Sequence, residues 1–185
     1  MALIKHGKLA DDIWHDTDDF ADAQALAPMG PIIVGLDTWR QHRDELLALA
    51  ENSGGRIGLR LQPGQTPDLV ASDLHHFDLI ALEFAKFTDG RAYSQARLLR
   101  ERHGFKGELR AVVDVLRDQL TFMLRCGFDS FLVATDSRAA AILAAVDEFA
   151  HWYQPALDRG ATIPALRRQA NGGARESGCA ATWAY

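Results

Sequence analysis

The sequence has few cysteines and no long hydrophobic run. Only Cys126 and Cys179 occur among its 185 residues. One chain therefore cannot build a disulfide framework or a cysteine-ligated zinc or iron–sulfur centre. No apolar run approaches the roughly 18 residues of a membrane-spanning helix. Residues 1–16 also lack a charged leader followed by a long apolar stretch. We therefore predict a cytoplasmic protein with reduced thiols and no membrane contact.

Motifs of well-defined chemistry are missing as well. The sequence contains no GxGxxG, Walker lysine loop, nucleophile elbow or HExxH, so it supports neither a dinucleotide nor a catalytic-triad mechanism. The acidic segment 16–22 lacks the ligand spacing of an EF-hand, and we predict a solvated loop there. The adjacent His75 and His76 do not face the same way on a short helix end. We predict no metal site, and the cofactor is undetermined, since flavin binding is neither signalled nor excluded.

An excess of positive charge is also lacking. The formal net charge is −5 and the sequence pI is about 5.8, which argues against broad nucleic-acid binding. With 48% hydrophobic and 24% charged residues, the composition is typical of a soluble globular protein. We predict a single α/β domain over residues 1–169. The remaining residues, 170–185, show no hydrophobic period and are predicted to be a flexible C-terminal tail.

Short apolar runs alternate with segments of helical periodicity, which indicates consecutive βα units. Leu3, Ile4, Leu9 and Ile13 alternate around a turn at residues 6–8 and predict an N-terminal β-hairpin. About five βα units imply a parallel sheet with right-handed crossovers. A complete eightfold barrel takes about 250 residues, so either an open doubly wound sheet or a partial (β/α) barrel is expected. The predicted strands are 31–36, 56–61, 79–84, 108–113 and 130–134, and the predicted longer helices are 38–51, 90–102, 115–126 and one ending near 149.

The segment KFTDGRAYSQAR, residues 86–97, directly follows the third predicted strand. Ligand sites of parallel sheets lie outside the carboxyl ends of the strands, where helix N-termini present free N–H groups. Three cations and three hydroxyls in this segment therefore predict a small anion site. An alternative is that Thr88 or Asp89 caps the helix, Gly90 makes a turn, and Arg91 and Arg97 lie on a solvated helix face. The predicted substrate-binding residues are Lys86, Thr88, Asp89, Gly90, Arg91, Ser94, Arg97 and Arg117, and the predicted catalytic residues, as proton-transfer groups, are Tyr93 and Asp114.

The fourth predicted strand carries charges at alternating positions. Glu108 and Arg110 are expected to pair with charges on neighbouring elements, because an unpaired buried charge costs several kcal/mol. Asp114, at the end of this strand, either faces the anion site or caps the next helix. Cys126 and Gly127 are predicted to end that helix, with Gly127 as its left-handed cap. Cys126 is predicted to be a packed thiol, since the negative end of a helix raises a thiol pKa.

The run FAKFTDGRAYSQARLLRERHGFKGELRAVVDVLRDQLTFMLRCGFD resembles the core of a bacterial family of unknown function that is associated with assimilatory sulfite reduction. The likeness spans residues 4–149, with FTDGR, GELRA, VLRDQL and RCGFD in this order. In that family, small or turn-forming residues are common where this chain has Ala85, Ala92 and Val113. The resemblance implies an accessory protein or oxidoreductase of sulfite reduction. It also implies sulfite reductase or its electron donor as partner. The predicted anion site is compatible with a small oxyanion, whether sulfite, sulfate or a phosphate.

Two other functions fit the same sequence. One is a non-catalytic docking or assembly partner of sulfite reductase that recruits another enzyme through its surface. The other is a lyase-like or isomerase-like enzyme that binds a phosphate ligand on a barrel-like frame. The sequence leaves the reaction, the substrate and the oligomeric state undetermined.

Overall fold

The computed structural model describes residues 1–53, 55–146, 152–157 and 162–172. Its strands are β1 Ala2–Lys5, β2 Lys8–Ala10, β3 His15–Thr17, β4 Ile32–Gly35, β5 Ile57–Leu61, β6 Phe77–Phe84, β7 Glu108–Val113 and β8 Ser130–Val133. Its α-helices are α1 Phe20–Leu26, α2 Leu36–Ser53, α3 Arg91–Arg97, α4 Leu120–Arg125, α5 Asp136–Val146 and α6 Ile163–Gly172. Short 3₁₀ turns occupy Pro67–Val70, Leu74–His76 and Arg117–Gln119, and a π-helical turn at Leu98–Arg102 continues α3.

The described strands form one curled, eight-stranded sheet in the order β2-β1-β8-β7-β6-β5-β4-β3. Strands β3 to β8 are parallel to one another, and β1 runs antiparallel to both β8 and β2. Successive parallel strands are therefore neighbours throughout, and the order never reverses. Right-handed crossovers then place the helices on one face. The predicted α/β class is confirmed, and the architecture is the half-barrel rather than the doubly wound sheet, which requires a reversal of strand order.

Alternating residues of the central strands pack on the two faces of the sheet. Ile80 and Leu82 of β6 belong to the core on the helix side, together with Ala96 and Leu99. Leu79 and Ala81 belong to a second, smaller cluster on the inner face of the half-barrel. Each large apolar side chain buried in this way contributes about 1.5–3 kcal/mol. Burial of both faces explains why β6 is a continuous apolar run in the sequence.

The predicted N-terminal hairpin is confirmed. Strands β1 and β2 pair around a turn in which His6 and Gly7 have φ angles of 49° and 73°. Two consecutive positive φ angles are the geometry of a type I′ turn, whose twist matches that of the strands it joins. The hairpin extends the sheet beyond β8.

The predicted solvated loop at residues 16–22 is wrong. Residues 15–17 form β3, which pairs in parallel with β4, and α1 begins at Phe20. The side chain of Asp19 caps α1 by accepting a hydrogen bond of 2.7 Å from the backbone N–H of Ala21. The sequence did not indicate β3, because acidic residues are uncommon in strands and because Arg60, the cation that pairs with Asp16, is distant in sequence.

The helix boundaries differ from prediction where the backbone has 3₁₀ or π-helical instead of α-helical geometry. The helix predicted over 90–102 is α3 followed by the π-helical turn, and the one predicted over 115–126 is a 3₁₀ turn followed by α4. Gly127 has a φ angle of 93°, which confirms the left-handed cap. Residues 147–149 of the predicted fifth helix and residues 173–185 of the predicted tail lie outside the described residues, while residues 170–172 belong to α6. None of the described helices combines the length and hydrophobicity needed to cross a bilayer.

Candidate functional site at the carboxyl edge of the sheet

The loop of residues 85–90 connects β6 to α3 at the carboxyl edge of the sheet. Lys86, Phe87 and Thr88 are exposed. The backbone N–H of Asp89 donates to the carbonyl of Lys86 at 3.0 Å, and the Asp89 carboxylate accepts the backbone N–H of Arg91 at 3.1 Å. The loop is therefore a local turn that leads into α3. The N-cap of α3 is Gly90 without a side-chain cap, so neither Thr88 nor Asp89 is the predicted cap, although Asp89 accepts a hydrogen bond from the first helical residue.

Arg91 and Asp89 form an exposed, bidentate ion pair. Arg91 Nε donates to Asp89 Oδ1 at 2.9 Å, and Arg91 Nη2 donates to Oδ2 at 2.6 Å. The Arg91 side chain is 63% exposed. These hydrogen bonds from Arg91 lower the pKa of Asp89 to about 2. A pair of this kind is screened by solvent and contributes little to stability.

Tyr93 and Arg97 contact residues other than Lys86 and Arg91, whereas Ser94 is three residues after Arg91 and so neighbours it on the surface of α3. The ring of Tyr93 packs edge-on against Phe84, with 5.1 Å between centroids. Burial raises the pKa of Tyr93 to about 12, so the phenol stays protonated at neutral pH. Ser94 is exposed. Arg97 pairs with Glu101 at 2.9 Å and lies about 9 Å farther along the helix axis than Arg91.

Asp114 does reach the same edge as the loop. Val113 of β7 lies opposite Phe84 of β6, and the backbone N–H of Asp114 donates to the carbonyl of Phe84 at 3.3 Å. Asp114 and Lys86 therefore follow neighbouring strands, which lie about 4.8 Å apart. The Asp114 carboxylate is 3.8 Å from Arg138 Nη1. The loop and Asp114 thus lie at the same edge of the sheet.

Arg117 opens the 3₁₀ turn that follows β7. In that turn, Gln119 Nε2 donates to the carbonyl of Phe87 at 3.5 Å, which ties the turn to the loop. Arg117 itself lines a groove beside Arg125 and Trp152, and the residues that line this groove do not include the loop. Arg117 thus lines a groove that the other predicted binding residues do not line, although its turn contacts the loop through Gln119.

The sequence analysis did not predict a charged cluster at the same edge of the sheet. Arg60 Nη1 lies 2.7 Å from Asp16 and Nε lies 3.1 Å from Glu83, while Nη2 donates to Asp18. Burial raises the pKa of Glu83 and of Asp16, although 41% of the Asp16 side chain stays exposed, and the charge of Arg60 opposes both shifts. Three carboxylates thus surround one guanidinium. The alternation of RIGLRL marks Arg60 as facing away from the helices, but no local signal brings Asp16 and Asp18 to it.

Residues 58–163 match the pattern of DUF934, described as a bacterial protein family of unknown function. This match covers more than half of the chain. The chain belongs to the DUF934 family. A comparison with curated proteins finds no match. In this DUF934 protein the matched residues include the loop, Asp114, Arg60 and Glu83, whereas Asp16 and Asp18 precede them.

The charges of β7 form a structural network on the inner face of the DUF934 protein. Arg110, which is 1% exposed, donates to Glu108 and, at 2.9 Å, to Asp12. Glu108 also accepts hydrogen bonds of 2.6 Å from both Lys5 and Ser130. Burial alone would raise the pKa of Glu108, but the hydrogen bonds from Lys5 and Ser130 and the charge of Arg110 outweigh it and lower that pKa. The prediction that Glu108 and Arg110 pair with neighbouring elements is confirmed.

Cys126 is half-buried at the end of α4. Burial raises the pKa of its thiol, and the charges of Arg97 and Arg125 oppose that shift without reversing it. A raised pKa leaves little of the nucleophilic thiolate at neutral pH, which agrees with a packed rather than a reactive cysteine. Among the described residues, no group of three or more His, Cys, Asp or Glu side chains is arranged to hold a metal ion.

Proposed function

We propose that this DUF934 protein is an accessory protein of assimilatory sulfite reduction that binds a small oxyanion at the carboxyl edge of its sheet. The pathway assignment rests on the sequence resemblance. The oxyanion assignment rests on one structural observation. The loop after β6 and the first residue of α3 present two cationic side chains, Lys86 and Arg91, at exposed positions beside the end of a central strand.

The chemistry of this edge favours binding. A guanidinium presents a planar fork of N–H donors that fits the oxygens of an oxyanion, and Lys86 adds a second positive charge. Sulfite, sulfate or phosphate would replace the Asp89 carboxylate at Arg91. The hydroxyl of Thr88 would donate to the same anion. Asp114, on the neighbouring strand end, is the candidate for any proton transfer, since the Tyr93 phenol is packed against Phe84.

Calorimetric titration with sulfite, sulfate and phosphate tests the proposal. Lys86→Ala and Arg91→Ala should each weaken binding about tenfold or more, equivalent to about 1.4 kcal/mol. Asp89→Asn should tighten binding, because it removes the carboxylate that competes for Arg91. Arg97→Ala is the matched control, since Arg97 has similar exposure and pairs with Glu101. Its affinity should equal that of the wild type.

Three results would refute or redirect the proposal. Absence of anion binding by the wild type would refute it, and so would an equal loss in Arg97→Ala and Arg91→Ala. Binding of phosphate alone would favour the phosphate-dependent lyase or isomerase instead. In cells, Arg91→Ala should reduce growth on sulfite as sulfur source. Its melting temperature should stay within about 2 °C of the wild type, as expected for an exposed pair.

A second function, a non-catalytic docking partner of sulfite reductase or its electron donor, is favoured by two exposed apolar side chains at the same edge. Phe87 and Val113 are each 60% exposed. Exposed apolar side chains grouped at an edge are typical of protein-binding surfaces. Phe87→Ser should then abolish copurification with sulfite reductase and leave sulfite binding intact. Leu69→Ser, at another exposed apolar position, should copurify like the wild type.

A further inference from the structure

A groove on the solvent side of α4 has a composition unlike that of the carboxyl edge. Its volume is about 760 Å³, which is within the range of about 300–1,000 Å³ that small-molecule sites occupy. Leu120 and Met123 of α4 face the core and are fully buried. The residues between them, Thr121 and Phe122, line the groove instead.

One wall of the groove is a polar stripe along the helix. Arg117, Thr121 and Arg125 are spaced four residues apart and lie on one side of the helical segment. Eight residues of helix place the two arginines about 12 Å apart along its axis. Among the described residues that line the groove, Arg117 and Arg125 are cationic and Asp118 is anionic. The stripe therefore places two guanidinium groups in the groove.

The rest of the groove is aromatic. Phe122 and Tyr153 are 66% and 72% exposed. Trp152 lines the same groove. The guanidinium of Arg125 lies 4.4 Å from the centroid of the Trp152 ring, and its Nη2 donates to the carbonyl of Gln154 at 2.6 Å. This cation–π contact and hydrogen bond hold the segment 152–154 against α4. The groove therefore has a fixed wall and two exposed rings available for stacking.

We propose that this groove binds an aromatic anion of nucleotide size. A planar ring would stack on Phe122 and Tyr153, as bases stack on aromatic side chains in single-strand binding proteins. A phosphate or carboxylate group of the same molecule would contact Arg117 at the opposite end of the stripe. The Thr121 hydroxyl and the Gln154 side chain supply neutral hydrogen-bonding groups in between. A nucleoside monophosphate combines the required ring, hydroxyls and anionic group.

Calorimetric titration of the full chain with adenosine 5′-monophosphate tests the inference. The wild type should show saturable binding. Adenosine and inorganic phosphate, which each lack one half of the ligand, should bind at least tenfold more weakly. The double variant Phe122→Ala/Tyr153→Ala should also lose at least tenfold, about 1.4 kcal/mol, and so should Arg117→Ala. Phe87→Ala, which removes an exposed ring at the carboxyl edge, should leave the affinity unchanged.

The inference is overturned by no saturable binding of the monophosphate at millimolar concentration, or by equal losses in Phe87→Ala and the double variant. It is also overturned if adenosine binds as tightly as its monophosphate. A further contrary result would be that the double variant loses a protein partner while the wild type does not bind the nucleotide. Lys86→Ala/Arg91→Ala separates this groove from the proposed oxyanion site. That variant should lose sulfite and keep the nucleotide, and loss of both ligands would place the phosphate at the loop.

Discussion

Val113 shows how a single residue carries strain at the edge of the sheet. It has a φ angle of 79° at the end of the central strand β7. A β-branched residue in this region clashes with its own backbone, at a cost of about 1–3 kcal/mol. Because Val113 is 60% exposed, its side chain recovers little of that cost by burial.

Val113→Gly should therefore stabilise the protein by about 1 kcal/mol, because relief of strain exceeds the extra entropy of glycine in the unfolded chain. Urea unfolding measures the change. Val112→Gly is the matched control, since Val112 is 5% exposed within the same strand, and it should destabilise the protein. A loss of stability in Val113→Gly would show that the valine side chain makes a contact worth more than the strain.

Asp89 should titrate well below an ordinary aspartate. Its pKa of about 2 arises from the hydrogen bonds with Arg91. The pair's contribution is present above pH 3.8, the ordinary aspartate value, and is lost as pH falls through about 2, because protonation of Asp89 breaks the pair. Carbon-detected NMR of the carboxyl group measures this pKa. In Arg91→Ala it should return toward the ordinary value, and a pKa near 3.8 in the wild type would contradict the ion pair.

At the scale of elements, the π-helical turn Leu98–Arg102 is held by one side chain. Arg100 donates to the carbonyls of Gly127, Phe105 and Gly107, and it pairs with Asp129. Asp129 in turn accepts the backbone N–H of Leu109 at 2.9 Å. Arg100 thus joins the end of the helix to the start of β7 and to the turn before β8. The apolar face of α3 was predictable from periodicity, whereas this turn depends on contacts distant in sequence.

Arg100→Ala should destabilise the protein by about 3 kcal/mol, since it removes several charge-assisted hydrogen bonds and leaves Asp129 without its partner. Arg102→Ala is the control on the same turn. Its side chain is 66% exposed and lies 3.7 Å from Asp68, and the change should be within about 0.5 kcal/mol. Equal losses in the two variants, measured by urea unfolding, would contradict the role given to Arg100.

At the scale of the whole molecule, two charged networks on the inner face link the N-terminal segment to the parallel strands. Arg110 binds Asp12 and Glu108, and Arg60 binds Asp16, Asp18 and Glu83. The two networks respond to pH in opposite directions. The pKa of Glu108 is lowered in the folded protein. The ionised carboxylate therefore contributes to stability above pH 4.5, its ordinary pKa, and this contribution is lost as the pH falls further. The pKa values of Asp16 and Glu83 are raised, so these two groups favour folding more as pH falls.

Arg110→Ala should destabilise the protein by about 3 kcal/mol, because it removes the charge-assisted hydrogen bonds from Arg110 to Glu108 and Asp12, while Glu108 keeps those from Lys5 and Ser130. The double variant Arg110→Ala/Glu108→Ala should lose less than the sum of the two single losses, since the partners are in contact. Glu108→Gln should reduce the loss of stability that occurs as the pH falls below about 4.5. Additive losses in the double variant would show that the two charges do not interact.

The sequence by itself determined the α/β class, the N-terminal hairpin, five of the six parallel strands and the apolar face of α3. These features follow from local patterns, since strand and helix periods depend on neighbouring residues. It also placed the cationic loop at a strand end. The half-barrel order, β3 and the carboxylate cluster around Arg60 were decided by tertiary structure, because they depend on pairings between distant residues. The same holds for the candidate site, where helix geometry separates Arg97 from Arg91 and strand pairing brings the backbone of Asp114 to Phe84, just before the loop.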